Sequence, residues 1–307
     1  MKVLVTGGAG FIGSHIVEHF QRIAEVLVLD NLRSGFKHNL AGLQHEFIDA
    51  SICDRDAVRA AMKDVDFVFH LAAMVSVPES MLMPMECNET NVTGTLIVLE
   101  EAARAKVKKL IFSSSAAIYG DNPAMPKSET MVPEPKSPYA VTKLDGEYYC
   151  KMFTDGGGLA TTCLRYFNVF GPRQNPKSQY AAAVPIFIED ALKNMPITIY
   201  GDGEQTRDFV YVKDVVAANV YFATQSAMTG TFNIGYGQQI TINNLTDVIC
   251  RLAESRSKIQ HVPARPGDIK HSLAAIDKLR GVDFNPAGNF QDGLRATVDF
   301  FRKQTKS

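Results

Sequence analysis

The chain has 307 residues, 46% hydrophobic and 21% charged, with a formal net charge of −1. That composition fits a soluble globular protein of one large or two smaller domains. It excludes a polyelectrolyte drawn to nucleic acid or to an anionic membrane by its overall field.

The 5 cysteines are odd in number and never at C-x-x-C spacing, so neither a disulfide framework nor a zinc site is expected. Reduced thiols in a cytoplasmic protein are the expectation. The histidines show no metal-ligand spacing, and no metal is expected.

Strands and helices alternate through the first half, the pattern of βαβ units and a parallel sheet. Lys2 to Val5 reads as a short apolar strand. Glycines interrupt the apolar run at once, so it is not read as a signal peptide, and no run is long enough to span a bilayer. Phe11 to Gln21 reads as a helix, Glu25 to Leu29 as a strand, and Phe47-Ile48 as a shorter one. Arg55 to Met62 is helical, with Asp54 suited to cap it. Asp66 to Leu71 is the next strand, Thr93 to Ala105 an amphipathic helix, and Leu110 to Ser113 a strand apolar until its serines begin. Prolines from Pro123 to Pro138, then Pro172 and Pro176, mark loops. Met81, Met83 and Met85 read as gap-fillers. The rhythm changes near Asn168.

The loop Thr6-Gly7-Gly8-Ala9-Gly10-Phe11-Ile12-Gly13 joins the first strand to the first helix. Gly7 permits a tight turn, Gly10 lets backbone approach a pyrophosphate, and Gly13 allows close helix–strand packing. An anion at that helix N-terminus meets free N–H groups and the favourable end of the helix dipole. Asp30 ends the second strand, where a carboxylate accepts hydrogen bonds from an adenosine ribose and repels a 2′-phosphate. That favours NAD over NADP, and nearby Arg33 pulls the other way.

Tyr139 and Lys143 stand four apart after Pro138, a residue suited to begin a helix, so both fall on one helical face. An ammonium beside a phenol favours the tyrosinate and is expected to lower the Tyr139 pKa toward neutrality, making it a general base. Alone, the pair also reads as a solvated surface contact. Ser113-Ser114-Ser115 closes an apolar strand at the carboxyl edge, where open α/β sheets bind ligands.

Together with Asp30-Asn31-Leu32, His70-Leu71-Ala72-Ala73, Asn91-Val92-Thr93-Gly94-Thr95 and Ser113 to Gly120, these motifs resemble the extended short-chain dehydrogenase/reductase family. Within it the chain resembles the UDP-sugar 4-epimerases, over essentially its whole length. The resemblance implies an α/β fold: a Rossmann-type doubly wound parallel sheet with a smaller, partly discontinuous α/β substrate-binding domain. It implies an NAD-binding domain at 1–167 and about 209–236, and a nucleotide-sugar-binding domain at about 168–208 and 237–307. A homodimer pairing through the helices at 93–105 and 140–153 is a further implication.

By the same resemblance, Tyr139 is acid and base at the sugar 4-hydroxyl, Ser115 bonds that hydroxyl, and Lys143 holds the nicotinamide ribose. Gly7, Gly10, Phe11, Ile12, Gly13, Asp30, Asn31, Leu71, Ala72, Ala73, Asn91, Ser113 and Tyr166 join Tyr139 and Lys143 around NAD. Ser51 and Ile52 belong there too, although Ala50-Ser51-Ile52 departs from the family's Gly-Asp-Ile. Val75 stands where some UDP-galactose 4-epimerases have lysine. On the substrate side, Leu164 to Pro172, Gly201 to Phe209 and Arg265 to Asp268 match three family motifs. They imply Asn168, Arg207 and Arg265 at the diphosphate, Asp268 at the uridine ribose and Tyr200 against uracil, with Val184 also at the substrate.

Ala116-Ala117 follows Ser115 where dehydratases and decarboxylases of the family carry acids, which favours an epimerase. The alternatives are a UDP-uronate epimerase or another sugar-modifying relative, and a non-catalytic dinucleotide sensor. Ser272 replaces a bulky aromatic of the glucose-restricted relatives, which opens the expectation to UDP-GlcNAc and UDP-GalNAc.

Overall fold

The computed structural model describes residues 1–176, 182–225, 227–264 and 270–305. Arg265 and Asp268 lie outside the described residues. The chain divides into two compact units: Met1–Asn122, Glu129–Tyr166 and Val216–Asn233 form the first, and Pro123–Ser128, Phe167–Val215 and Ile234–Ser307 the second. Compared with the expected bounds, 123–128, 167, 209–215 and 234–236 group with the second unit.

The first unit opens with β1 (Lys2–Thr6), α1 (Phe11–Phe20), β2 (Glu25–Asp30), β3 (Glu46–Asp49), α2 (Arg55–Ala61) and β4 (Phe67–His70). It continues with α3 (Val77–Leu82), α4 (Pro84–Asn88), α5 (Gly94–Arg104), β5 (Lys109–Ser115), α6 (Pro138–Asp155) and β6 (Thr161–Tyr166). The second unit holds β7 (Asn168–Phe170), α7 (Ala183–Leu192), β8 (Ile197–Tyr200), β9 (Thr206–Arg207) and β10 (Phe209–Tyr211). Then α8 (Val212–Thr224) and β11 (Gly230–Ile234) return the chain to the first sheet. β12 (Ile240–Thr241), α9 (Ile242–Ala253), β13 (Ile259–Val262), α10 (Asp277–Arg280) and α11 (Phe290–Thr305) complete the second unit.

The first sheet has seven strands in the order β11-β6-β5-β4-β1-β2-β3. β1 to β6 run parallel. Successive strands run outward from β1 through β2 to β3, then from β4 through β5 to β6. The order therefore reverses between β1 and β4, and their carboxyl ends form the crevice where such sheets bind ligands. This is the doubly wound fold expected.

Local chemistry sets the elements, at Asp54 and Pro138 as anticipated. Asp54 caps α2 by accepting from Asp56 N and Ala57 N. Ser137 caps α6 through Ala140 N, with Pro138 in the first turn. The helix expected from Thr93 begins at Gly94, after a π-helical stretch over Glu89–Thr93. β1 and β2 are apolar and covered on both faces; Leu4, Leu27, Leu29, Val68, Leu110 and Phe112 share one core with Val98 and Leu99 of α5. In the second unit, Phe170, Val184, Ile188, Ile199, Leu245 and Leu294 build a separate core.

The methionine segment departs from expectation. Met81, Met83 and Met85 are 58%, 44% and 80% exposed and fill no gap. The short helices α3 and α4, broken at Pro84, leave these side chains without a covering layer.

Candidate active site

The glycine loop closes on itself: Gly7 N bonds Leu29 O at 2.9 Å, and Gly10 N bonds Gly7 O at 3.1 Å. Gly7 has φ +71°, and a Cβ there would lie 2.7 Å from Ala72 N. A Cβ on Gly13 would reach 2.2 Å from Gly7 O. Any side chain would thus fill the space that the loop keeps open or wedge α1 off the sheet.

Gly7, Gly10, Asp30, Asn31, Ser51, Ile52, Leu71, Ala72 and Ala73 line one cleft. Ala50, Val75, Thr90 and Arg33 line it as well, and of these only Thr90 went unremarked in the sequence. Phe11, Ile12 and Gly13 are the first turn of α1 and are not among its lining. Asp30 accepts from Ala9 N at 2.9 Å and Leu32 N at 2.8 Å. Burial pushes its carboxyl up, and those two bonds pull against the shift. The carboxylate therefore also holds the glycine loop.

Asn91 is 2% exposed and does not line the cleft. Its Oδ1 accepts from Met74 N at 2.7 Å, while Nδ2 donates to Met74 O at 3.0 Å and Thr142 Oγ1 at 3.0 Å. Its amide is spent on protein partners, so Asn91 fixes the 71–74 turn. Beside it runs a buried chain unforeseen in the sequence. Thr95 Oγ1 donates to Asn91 O at 2.6 Å. That leaves Thr95 to accept from His70 Nε2 at 2.9 Å, so His70 Nδ1 accepts from Thr6 Oγ1 at 2.7 Å. Burial lowers the His70 pKa to about 3 and keeps the ring neutral.

The serine strand and the tyrosine helix meet as the spacing implies. The Ser115 hydroxyl lies by the Tyr139 phenol, where it favours the ionised form, and accepts from Ala117 N at 3.1 Å. Lys143, 4% exposed, donates to Ser113 O at 2.7 Å, and its ammonium lies 5.9 Å from the Tyr139 ring centre. Burial brings the Lys143 pKa down to about 8. α6 can lie this close to β5 because Gly146 faces Phe112; a Cβ there would be 2.3 Å from the ring.

The expected depression of the Tyr139 pKa is corrected. Burial pushes the phenol up, the Ser115 bond pulls it down, and the Cys87 thiol raises it. The Lys143 ammonium is turned to the Ser113 carbonyl, so the serine supplies the stabilising bond to the phenol oxygen. Tyr166 is buried, bonded to Asn219 at 2.8 Å and to Ser113.

One layer below lies a buried ion pair. Arg165 on β6 grips Glu147 on α6 through two bonds, 2.8 Å and 2.7 Å, and Ser114 donates to Glu147 at 2.5 Å. Arg165 also bonds Tyr119, which donates to Asn233 on β11. Two signals announced it: Glu147 follows Lys143 by four residues, and an arginine within a buried strand requires a partner.

In the second unit, Asn168 N bonds Asp208 O at 3.0 Å, and Ser272 N bonds Thr206 O at 3.1 Å. Arg207 Nη1 donates to Thr206 O at 2.9 Å. Asn168, Arg207 and Ser272 are therefore gathered around the 206–208 segment. Tyr200 stands 38% exposed at the end of β8. The Val184 side chain is 1% exposed within the core, and its backbone N–H lies in the first turn of α7, which has no side-chain cap. Asp208, missed in the sequence, is fully buried and accepts from Tyr236 N, Gly237 N and Ala274 N. A separate cavity of about 600 Å³, lined by Tyr236, Gln238, Arg280 and Asn289 among others, contains none of the expected residues.

This glycine cradle, ribose-side carboxylate and Ser-Tyr-Lys cluster define a dinucleotide-dependent enzyme of the short-chain dehydrogenase/reductase kind. Residues 3–235 match the model of the NAD dependent epimerase/dehydratase family, and the chain belongs to that family. Its cofactor is NAD, which the cradle suits: the glycine loop leaves room for a pyrophosphate, and Asp30 stands at the ribose end.

Among solved structures, it is similar to the UDP-N-acetylglucosamine 4-epimerase of Methanobrevibacter ruminantium in complex with UDP-N-acetylmuramic acid, with 44% identity, TM-score 0.95, and coverage of 99% of this chain and 98% of that one. It is also similar to the Thermus thermophilus UDP-glucose 4-epimerase in complex with NAD, with 40% identity, TM-score 0.90, and coverage of 98% and 99%. A UDP-N-acetyl-α-D-glucosaminuronate decarboxylase of Bacillus cytotoxicus is 34% identical over 98% of both chains. Among the described residues no helix is long and apolar enough to cross a membrane, and no side-chain cluster could hold a metal.

Proposed function

We propose that the protein interconverts the C4 epimers of a UDP-hexose through a transient 4-keto sugar, and that it accepts N-acetylated hexoses. The observation that carries this reading is the placement of the Ser115 hydroxyl by the Tyr139 phenol, with the buried Lys143 held to Ser113 O at the carboxyl end of β5. When bound, NAD supplies the hydride acceptor and donor for sugar C4. Tyr139 takes the proton of the 4-hydroxyl and later returns it. Ser115 donates to the phenol oxygen and so favours the phenolate. Lys143, with a pKa near 8, carries its charge at neutral pH and is assigned to the nicotinamide ribose.

The substrate's UDP is assigned to Asn168, Arg207, Arg265, Asp268, Tyr200 and the Val184 N–H. Arginine suits a diphosphate because its planar fork bonds two oxygens. Decarboxylation or dehydration is less well supported: Ala116 and Ala117 begin a 3₁₀ turn after Ser115 and carry no acid. Five free thiols support a reducing, cytoplasmic setting. A homodimer is proposed through α6, where Val141, Tyr148 and Met152 form an exposed stripe at 43%, 55% and 64%.

The test is turnover of UDP-Glc, UDP-Gal, UDP-GlcNAc and UDP-GalNAc by wild type and Ser272→Tyr, resolving each 4-epimer. All four are expected to react with wild type, and Ser272→Tyr is expected to lose the N-acetylated pair selectively, by roughly 10-fold or more. Unchanged N-acetylhexosamine turnover in the variant would sink the pocket argument. No turnover of any sugar by wild type would sink the epimerase.

A further inference from the structure

Arg33 lines the cofactor cleft. It stands three residues after Asp30, where an arginine in this fold accommodates the 2′-phosphate of NADP. Its guanidinium is already engaged. It donates to Glu79 at 2.9 Å and also pairs with Glu86. The three side chains remain 32–36% exposed, so the cluster sits at the rim of the cleft and not in the core. Two carboxylates thus hold the guanidinium, while the Asp30 carboxylate, three residues earlier, is bonded to the backbone of Ala9 and Leu32.

We propose that Glu79 and Glu86 are specificity-determining residues that exclude NADP by holding Arg33. Discrimination can rest on withholding a partner from the wrong ligand as well as on bonds to the right one. A 2′-phosphate entering here meets the Asp30 carboxylate and must also pull Arg33 out of two ion pairs, leaving Glu79 and Glu86 unmatched. The free 2′-hydroxyl of NAD imposes neither cost. The carboxylates come from α3 and α4, more than forty residues from the Asp30 turn, so the usual strand-end acid is only part of the device.

The experiment reads the dinucleotide carried by the protein as purified from cells containing both forms. The protein is denatured, and released NAD and NADP are quantified. Wild type is expected to release NAD with at most a trace of NADP. Glu79→Gln with Glu86→Gln frees Arg33 and is expected to raise the NADP:NAD ratio roughly tenfold, the worth of a charge-assisted bond to phosphate. Adding Arg33→Ala should abolish that gain. An unchanged ratio in the double variant, or a gain that survives Arg33→Ala, would overturn the proposal. If the double variant yields no folded protein, each single variant should shift the ratio the same way. No shift in either is equally fatal.

Discussion

His70 shows how much a single side chain can depend on its surroundings. It is 1% exposed, bonded through both ring nitrogens, and held at a pKa near 3. In the unfolded chain the ring titrates near 6.5. Between these values the unfolded state binds the extra proton, so stability falls as pH drops from 6.5 toward 3. At pH 5 the loss from this residue is about 2 kcal/mol. Urea unfolding of wild type and His70→Gln at pH 7 and pH 5 tests it, the variant being expected to lose that much less on acidification. Equal losses would show that His70 does not set the acid sensitivity. The role was hidden in the sequence because His70-Leu71-Ala72-Ala73 reads as a motif without a mechanism. Only the fold brings Thr6 and Thr95 to the two ring nitrogens. The placement of Gly7, Asp30, Tyr139 and Lys143 was legible, since it follows from local spacing, whereas the rise of the Tyr139 pKa on burial was not. The burial of Val184 and Asn91 was not legible either, because sequence position does not say whether a side chain faces the cleft or the core.

At the scale of elements, α6 does three things at once. One face carries Tyr139 and Lys143, and the same face further on carries Glu147 to the Arg165 clamp. Gly146 lets the helix settle against Phe112. The opposite side presents Val141, Tyr148 and Met152 at intervals of seven and four, one helical stripe. A soluble helix with large apolar groups aligned on its outer face is expected to have a partner. Light scattering of the wild type should give twice the chain mass, and Tyr148→Glu with Met152→Glu should give the monomer. A monomeric wild type removes the dimer, and a dimeric variant removes this surface. The boundaries of α2 and α6 were read to within a few residues because Asp54 and Pro138 are local signals. The π-helical stretch at Glu89–Thr93 has no such signal, as it depends on how Asn91 is held by Met74 and Thr142.

Across the whole molecule, the change of rhythm near Asn168 marks the start of the second unit at Phe167. The return of the chain to the first sheet was visible only through the family resemblance, since β11 alone is a short, unremarkable segment. That return has a consequence during synthesis. β6, with all six residues buried in the finished sheet, leaves the ribosome well before its neighbour β11 exists. Until then its outer edge has no strand to pair with, and an unpaired edge of backbone N–H and C=O groups invites intermolecular pairing. Lys109 is in the same position: its buried ammonium donates to the carbonyls of Gln225 and Met228, just before β11. The nascent first unit is therefore open on one side throughout translation of the intervening segment. Stalled chains ending before Gly230 emerges should be readily cut by protease and captured by chaperones, and those exposing residues through Ile234 should resist both. Equal resistance at the two lengths would mean that the sheet closes without its last strand.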